Sequence, residues 1–262
     1  MLALRSGKDT LFSCTTYFDF EKQDKWAAFC RAMDSLAAQH DEESLGRIRR
    51  CLIVNEWSAQ PKRDWAAAVA AKYPFVTFVQ KPRGQKGQAA SMNLILDELC
   101  NGGPYKLWIH WEETWYCSAP CLDRMFDVMD SDPVITQLQA TRLKGQANWL
   151  DSKNPKEARE TGAGTKYVVI KPTAATREYA QKGVGEWSNE FFPNWPLYSL
   201  LPSINRAELY RRVGSFSTDP ALWPIKFEWD FGRRWLLGGG VKAVLPDGPV
   251  VRDEGAHKST YS

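Results

Sequence analysis

Strand-like and helix-like runs alternate along the first part of the chain, up to about residue 142. Five short runs rich in β-branched and aromatic residues have the composition of strands: TLFSCTTYF, RCLIVNEW, FVTFVQK, KLWIHWEE and VITQLQAT. Between the first two, apolar residues recur at steps of three and four from Trp26 to Ala37, and KRDWAAAVAAKY and GQAASMNLILDELC indicate two more helices. This alternation predicts an α/β fold with βαβ units and a mostly parallel central sheet flanked by helices.

The regular alternation ends near residue 143. The segment KGQANWLDSKNPKEARETGAGTK is polar and punctuated by Gly and Pro, so it is predicted to be a long loop, either a lid or acceptor-binding element or a plain linker. The strand-like YVVIKP and the aromatic, proline-rich EWSNEFFPNWPLYSLLPS follow it. NRAELYRRVG and EWDFGRRWLLGGG indicate helices, and VKAVLP indicates a last strand.

The composition favours a folded protein that does not bind nucleic acid. With 262 residues and 44% apolar content, the chain can bury one large core. The 34 basic and 31 acidic residues leave a net charge of +3, without the one-signed block that nucleic acids or anionic membranes attract. No apolar run approaches the roughly 20 residues that span a bilayer, and the start of the chain lacks a secretory leader pattern, so a soluble cytoplasmic protein, or a soluble part of a longer protein, is expected.

The six cysteines are scattered, and most fall in predicted strands or helices, where a free thiol acts as a small apolar group. Cys117 and Cys121 are spaced for one helical face, but no second pair of cysteines accompanies them. A zinc site is therefore not expected from the sequence.

The first candidate for chemistry is the end of the fourth strand, where KLWIHWEETWYC places Glu112 and Glu113 after a buried aromatic run. Ligands of parallel α/β sheets bind at the carboxyl ends of the strands, and carboxylates there can hold a divalent cation. Such a cation commonly bridges phosphates and stabilises charge on a departing phosphate oxygen. A solvated strand end is the alternative explanation for these two glutamates.

A glycine-containing loop opens the helix that precedes this strand, in RGQKGQAASMNLILDEL. The loop carries Arg83 and Lys86, and the first turns of the helix carry Ser91 and Asn93. Backbone N–H groups at a helix start, with cations nearby, suit a nucleotide phosphate or ribose. An ordinary βα loop is the alternative.

A second acidic site lies far downstream, in FEWDFGRRWLL. Glu228 and Asp230 precede or begin a predicted helix, in which Arg233 and Arg234 follow within about one turn. Acidic residues near a helix start favour its dipole, which alone would explain one of the two. Two acids after a proline-rich loop could instead present a carboxylate to a substrate hydroxyl as a general base.

The order of these features resembles the family-2-like glycosyltransferases of the GT-A fold, over about residues 10 to 257 except for 143 to 190. The resemblance rests on the glycine loop with its Asn-bearing helix, the acidic strand end, INRAELYRRVGSF, FEWDFGRRWLLGGG and VKAVLPDGPVV. In that family the acidic strand end is a DXD motif that holds the metal and the nucleotide-sugar diphosphate, and a pattern like EDxDLxxR supplies the catalytic base. The resemblance implies that Glu228 is the base, with Asp230 as the fallback, and that Glu113 and Glu112 are metal ligands, with Thr114 at the third motif position.

The resemblance implies further site residues and a cofactor. The donor-binding residues that it implies are Thr15, Tyr17, Asp19, Asn55, Arg83, Lys86, Asn93, Trp111 and Glu112. His257 would add to the metal site, and Mn²⁺ or Mg²⁺ would be the cation. Tryptophan rings offer flat faces to sugars, and one or two of those near the site are expected to contact sugar: Trp111, Trp115, Trp187, Trp195, Trp223 and Trp229.

The chain is therefore expected to be a single GT-A-like domain over residues 1–262, with a nucleotide-sugar-binding half (1–142) and an acceptor-binding and catalytic half (143–262). The expected reaction is inverting transfer of a hexosyl or pentosyl group from a UDP- or GDP-type donor to a glycan or other hydroxyl acceptor. Two alternatives are a non-catalytic relative that binds nucleotide or sugar, suggested by the imperfect metal motif, and a nucleotidyltransferase. The sequence leaves the donor sugar, the acceptor and the oligomeric state open.

Overall fold

In the part of the chain that the structure describes, a nine-stranded sheet lies between two layers of helices. The computed structural model describes residues 9–21, 24–85, 87–141, 154–182, 195–222 and 225–253. The strands are β1 Thr10–Thr16, β2 Ile48–Asn55, β3 Val76–Gln80, β4 Leu107–Glu112, β5 Trp115–Cys117, β6 Gln137–Gln139, β7 Lys156–Glu160, β8 Lys166–Ile170, β9 Ser203–Arg206, β10 Lys242–Val244 and β11 Val250–Arg252. The helices are α1 Lys25–Ala38, α2 Glu42–Gly46, α3 Trp65–Lys72, α4 Gln88–Asn101, α5 Leu122–Ser131, α6 Ala174–Gln181, α7 Ala207–Val213 and α8 Lys226–Leu237.

The strand order in the large sheet is β3-β2-β1-β4-β9-β6-β10-β8-β7, and β5 pairs with β11 in a separate two-stranded sheet. From β3 to β4 all neighbours are parallel, as the alternating pattern predicts. Beyond β4 the sheet is mixed, because β9 runs antiparallel to both of its neighbours and β8 is antiparallel to β7 and β10. The parallel half therefore places the carboxyl ends of its four strands at one edge.

The two faces of the sheet carry separate parts of the core. Phe12 and Cys14 of β1 pack in the layer that contains α1, α3 and α5, whereas Leu11 packs with α4, α7 and α8. Every residue of β1 is buried, as expected for a central strand covered on both sides.

Two aspartates fix the starts of helices in the first layer. The side chain of Asp24 accepts the amide hydrogen of Ala27, and that of Asp64 accepts the amide hydrogen of Ala67. Such N-caps satisfy backbone donors that the helix itself leaves unpaired, and each typically contributes about 1 kcal/mol. In contrast, α4 begins after Gly87, whose φ is 84°, without a side-chain cap. Its first amide groups are therefore free of a competing side chain at the edge where β1 and β4 end.

The second half of the chain is more regular than its sequence indicates. The prediction of one long loop from Lys144 to Lys166 is wrong over Lys156–Glu160, because these residues form β7 and pair antiparallel with β8. The helix Ala174–Gln181 was not predicted, and the predicted helix in NRAELYRRVG begins only at Ala207 because the residues before it form β9. Residues 144–153 of the predicted loop lie outside the described residues.

None of the helices in the described residues combines the length and the apolar character that crossing a lipid bilayer requires.

Candidate active site

The carboxyl ends of β1, β2 and β4 lie side by side. In the register of the sheet, Thr15 is opposite Glu112 and Thr16 is opposite Asn55. Asn55 is fully buried, and its side chain accepts hydrogen bonds from the Thr16 hydroxyl at 2.9 Å and the Phe18 amide at 3.1 Å. It also donates to Gln80 at 2.9 Å. The amide of Asn55 is thus committed to holding the strand ends together.

Glu112 ends β4 as a half-buried carboxylate held by two donors. Gln88, the first residue of α4, donates from Nε2 to Glu112 Oε1 at 2.8 Å, and the Trp115 indole donates to Oε2 at 3.2 Å. Burial and the charge of Glu113 raise the pKa of Glu112, while these two hydrogen bonds and the Arg252 guanidinium oppose the increase. The negative charge is therefore only partly compensated, which suits a carboxylate that receives a cation.

Glu113, the first residue after β4, contacts α1, whereas Glu112 contacts α4 on the other face of the sheet. Its Oε1 is 3.2 Å from Lys25 Nζ, and both side chains are buried. The two charges compensate each other inside the layer that contains α1, α3 and α5. The structure therefore commits Glu113 to an ion pair with α1, and Glu112 is the glutamate at the strand edge.

Arg252 and Gln88 join this edge, although the sequence analysis named neither as a site residue. Arg252 belongs to β11, its guanidinium lies 5.9 Å from the centre of the Trp115 ring, and its charge lowers the pKa of Glu112. Within the described residues its Nε is buried without a hydrogen-bond partner. No local pattern in the sequence indicates that Arg252 belongs to the site, because the pairing of β11 with the distant strand β5 brings it there.

Glu228 reaches the same region from α8. Its Oε1 accepts the amide hydrogen of Leu200 at 2.9 Å. Burial raises the pKa of Glu228 to about 7, and the charge of Glu112 adds to the increase, whereas the Leu200 hydrogen bond and Lys242 oppose it. The two acidic segments, far apart in the sequence, therefore converge closely enough that one carboxylate acts on the other.

Asp230 does not share this environment. It is buried, and it accepts hydrogen bonds from Arg233 Nε at 3.0 Å and from Arg234 Nε at 3.1 Å. Arg234 also donates to the carbonyl groups of Val213 and Ser215, each at 2.8 Å. Asp230 therefore orients an arginine that binds the turn after α7, and it is compensated by two cations.

The same turn is held from the other side by Asn93 of α4. Asn93 donates to the Phe216 carbonyl at 2.9 Å and accepts the Phe216 amide hydrogen at 2.8 Å. The Phe216 ring stacks on Phe231 of α8, with centroids 3.9 Å apart. The side-chain amide of Asn93 thus joins α4 to this turn through both its oxygen and its nitrogen. Through the Phe216 ring, the turn also packs against α8, the helix that carries Glu228.

The other predicted site residues have different surroundings. Asp19 is buried and accepts hydrogen bonds from the Lys62 amide at 2.9 Å and the Trp65 indole at 2.8 Å. Tyr17 is half-buried beside Phe20, and Arg83 is exposed with its guanidinium 5.9 Å from the Trp57 ring centre. Lys86 and His257, predicted as donor-binding and metal-binding residues, lie outside the described residues.

Tryptophans near the site contribute packing in the described part of the chain. Trp111, Trp115, Trp195 and Trp229 are all at most 3% exposed. Trp111 donates to the Trp115 carbonyl at 2.8 Å, and Trp195 donates to the Tyr198 carbonyl at 2.7 Å. Their ring faces are covered by protein. Trp187 and Trp223 lie outside the described residues.

Gly232 of α8 allows the segment that carries Leu200 to approach the helix. A Cβ atom on Gly232 would lie 2.8 Å from Pro196 Cγ and 3.0 Å from Tyr198 Cβ, and neither atom is the end of a flexible side chain. In a typical helix interior, Gly→Ala stabilises by about 1 kcal/mol. Here we expect Gly232→Ala to lower the free energy of unfolding by about 1–2 kcal/mol, because overpacking outweighs propensity. Denaturant titration measures the change.

Gly46, at the end of α2, provides the matched control, because an added Cβ there meets no atom within 4 Å. Gly46→Ala should change stability by less than about 0.5 kcal/mol. A Gly232→Ala protein as stable as the wild type would show that the close approach of residues 195–200 to α8 is incorrect.

Comparison with solved structures identifies the architecture. A structure of GalNAc-T7 with UDP, GalNAc and Mn²⁺ superposes with a TM-score of 0.57 and 11% sequence identity, over 95% of this chain and 44% of that one. The mannosyltransferase PcManGT from Pyrobaculum calidifontis, in complex with GDP-Man and Mn²⁺, superposes with a TM-score of 0.57 and 16% identity, over 97% of this chain and 58% of that one. The chain has a GT-A-like fold. It spans about half the length of these two proteins.

At these identities the GT-A-like fold is a likeness of architecture alone. No protein-family model matches the sequence, and a search of curated protein sequences finds no significant match. The function of the site therefore depends on the residues that form it and not on the fold.

Proposed function

We propose that the protein is an inverting glycosyltransferase that moves a sugar from a nucleotide-diphosphate donor to a hydroxyl acceptor. One observation carries the proposal: Glu112, at the carboxyl edge of the parallel strands, and Glu228, on α8, converge so that the charge of one raises the pKa of the other. A carboxylate at the strand edge whose charge is only partly compensated suits a cation and diphosphate, and a second carboxylate with a pKa of about 7 suits a general base.

Glu228 is the proposed base. At neutral pH a large fraction of its carboxylate is ionised, and its basicity exceeds that of an ordinary glutamate. The Leu200 amide binds Oε1, which leaves Oε2 to take the proton of an acceptor hydroxyl as that oxygen attacks the sugar. Asp230 is assigned a positioning role, because two arginines compensate its charge.

Glu112 and Arg252 are proposed to bind the donor diphosphate together with a divalent cation. Of the two adjacent glutamates at the end of β4, Glu113 pairs with Lys25, whereas Glu112 has no ion pair with a cationic side chain among the described residues. Cations such as Mg²⁺ are often held by one or two carboxylates plus substrate phosphates, so one glutamate fits a site that the donor completes. Bound there, the cation would offset charge on the leaving diphosphate. The guanidinium of Arg252 suits the same phosphates.

We propose that the two halves of the chain bind different substrates. Residues 1–142 bind the donor, with Thr15, Tyr17, Arg83 and Lys86 as contacts, and residues 143–262 bind the acceptor and supply the base. Asn55, Asp19 and Asn93 are reassigned from donor contacts to positioning residues, because their polar atoms already bond to protein. The Mn²⁺ and the UDP or GDP-mannose in the two similar structures motivate the choice of ligands to test first.

A nucleotide screen tests the proposal directly. We expect UDP or GDP, and the corresponding nucleotide sugars, to raise the melting temperature only when Mn²⁺ or Mg²⁺ is present. At a free ligand concentration of 100 times Kd the native state gains about 2.7 kcal/mol, which raises Tm by about 5–10 °C for a domain of this size. Differential scanning fluorimetry over a panel of nucleotides, with ATP and CTP as comparison ligands, measures it.

Product analysis then separates the alternatives. Release of nucleoside diphosphate with transfer to an added acceptor supports the glycosyltransferase. Release of pyrophosphate would indicate a nucleotidyltransferase, and binding without hydrolysis or transfer across a wide acceptor panel would indicate a non-catalytic binding protein. Either of the last two results contradicts the proposal.

A further inference from the structure

Three metal-binding groups meet where the end of β5, the residues after α1 and the start of α5 come together. They are His40, which follows α1, Cys117, which ends β5, and Cys121, which occupies the N-cap position of α5. One ligand atom from each residue lies within 4.8 Å of the other two, and within the described residues this is the only such group of three or more His, Cys, Asp or Glu side chains. Both thiols are buried, and His40 is half-buried.

Two of the three distances within this cluster match the edges of a zinc tetrahedron. With Zn–S bonds of about 2.3 Å and Zn–N bonds of about 2.0–2.1 Å, tetrahedral angles give S···S separations of about 3.8 Å and S···N separations of about 3.6 Å. The observed separations are 3.9 Å between Cys117 Sγ and Cys121 Sγ and 3.5 Å between Cys121 Sγ and His40 Nε2. The third separation, between Cys117 Sγ and His40 Nε2, is within 4.8 Å, so the three atoms lie close to the positions of three tetrahedral ligands.

The hydrogen bonding of His40 presents the correct nitrogen. Nδ1 is 2.6 Å from the Leu36 carbonyl, so it carries the proton and donates it. Nε2 is therefore unprotonated, and its one lone pair accepts the Cys121 amide hydrogen at 3.0 Å, a hydrogen bond that zinc binding would replace. A histidine whose second nitrogen donates to a backbone carbonyl is the usual arrangement around protein-bound zinc, because it fixes the tautomer and the ring orientation.

We propose that His40, Cys117 and Cys121 bind a Zn²⁺ ion, with a solvent molecule in the fourth position. Two thiolates and an imidazole are the donor set that selects zinc over the harder cations that oxygen ligands prefer. The sequence did not indicate this site, because the third ligand comes from a distant segment and no second cysteine pair is present. The inference does not depend on the proposed transferase activity.

The ion would join three elements next to the active site. Cys117 ends the strand that begins with Trp115, which donates to Glu112. The Cys117 amide already donates to Ser35 of α1 at 2.9 Å. Zinc would add a connection between the residues after α1 and β5, and it would join both to the start of α5 through metal–ligand bonds. We therefore expect it to stabilise the turn that carries Glu112 and Glu113.

Metal analysis of the whole chain, purified under reducing conditions with Zn²⁺ in the growth medium, tests the proposal. We expect about one zinc per chain by plasma mass spectrometry. Chelation should lower Tm by several degrees, and Zn²⁺ added back should restore it. Co²⁺ in place of zinc should give the visible bands of a tetrahedral site and a thiolate-to-cobalt charge-transfer band in the near ultraviolet.

Cysteine variants assign the ligands. Cys117→Ser, Cys121→Ser and His40→Gln should each lower zinc affinity at least tenfold, and the two cysteine variants should weaken the charge-transfer band. Cys100→Ser is the matched control, because Cys100 is exposed on α4, outside the cluster, and should leave zinc content unchanged. Glu112→Gln should also retain zinc, which separates this site from the proposed donor-bound cation.

Two results would overturn the proposal even if a cysteine variant fails to fold. One is a wild-type protein that retains no zinc and gives no thiolate-to-cobalt band, in which case His40 only caps α5 and the thiols only pack. The other is a disulfide between Cys117 and Cys121 in the freshly purified protein, detected by intact mass after alkylation without reductant.

Discussion

Glu228→Gln should lower the rate of sugar transfer by about 10²–10⁴-fold while leaving donor affinity within a factor of about two. Glutamine keeps the length of the side chain, and its carbonyl oxygen can still accept the Leu200 amide hydrogen. It has no basic lone pair to take the proton of an acceptor hydroxyl, so only the proton transfer is removed. Single-turnover transfer assays measure the rate, and calorimetric titration with the nucleotide measures the affinity.

The pH profile gives the same assignment an independent test. Because burial raises the pKa of Glu228 to about 7, the ionised and active form increases as the pH rises through that value. The wild-type rate should therefore rise with pH near neutrality, and a cation bound at Glu112 should move this limb to lower pH. The limb should be absent from the residual activity of Glu228→Gln.

The same pKa predicts an effect on stability. A carboxyl whose pKa is higher in the native state than in the unfolded state stabilises the fold below about pH 4.5, and this contribution is lost as the pH rises to about 7. Glu228→Gln should therefore be more stable than the wild type at pH 8, by on the order of 2 kcal/mol, and the difference should shrink toward pH 5.

Glu208→Gln is the control for both measurements, because Glu208 is exposed in the first turn of α7. It should leave the transfer rate and its pH profile unchanged. If Glu228→Gln transfers sugar at the wild-type rate, Glu228 is not the base. In that case Asp230→Asn, which should otherwise act mainly by loosening Arg233 and Arg234, becomes the variant to compare.

The first half of the fold could be predicted because its signals are local. Buried parallel strands have continuous apolar runs, and the intervening helices have an apolar face with a period near 3.6 residues. The edge strand β7 has neither signal, because KEARE alternates between exposed and half-buried side chains. Its pairing depends on β8, and charged residues are what an edge strand is expected to carry.

The candidate site could be predicted as far as its two acidic segments. Glu112 lies at a strand end and Glu228 lies in α8, as the order of the elements indicated, while their catalytic roles stay predictions. The hydrogen-bond partners of individual polar side chains could not be predicted, because these partners lie far away in the sequence. Asn93 binds the backbone of Phe216, and nothing in the helix that carries Asn93 specifies that contact.

Glu112 and Glu113 are adjacent in the sequence, but they have different partners in the structure, and the sequence could not predict which partner each one has. Glu112→Gln should weaken Mn²⁺-dependent nucleotide binding by on the order of 100-fold or more, since changing even the partners of metal ligands costs about 10–100-fold. It should leave stability nearly unchanged at neutral pH, because the buried charge of Glu112 is only partly compensated in the folded protein. Calorimetric titration of UDP and GDP with Mn²⁺ measures the affinity.

Glu113→Gln is the matched variant and should have the opposite effects. It leaves Lys25 buried without its carboxylate, which typically costs about 3–5 kcal/mol, while nucleotide binding by the remaining folded protein stays close to that of the wild type. Urea denaturation measures the loss. If Glu113→Gln instead abolished Mn²⁺-dependent binding without loss of stability, the ion pair with Lys25 would not be what holds Glu113. The side chains at this strand end would then face the opposite way, and the metal site would be the one that the resemblance alone implies.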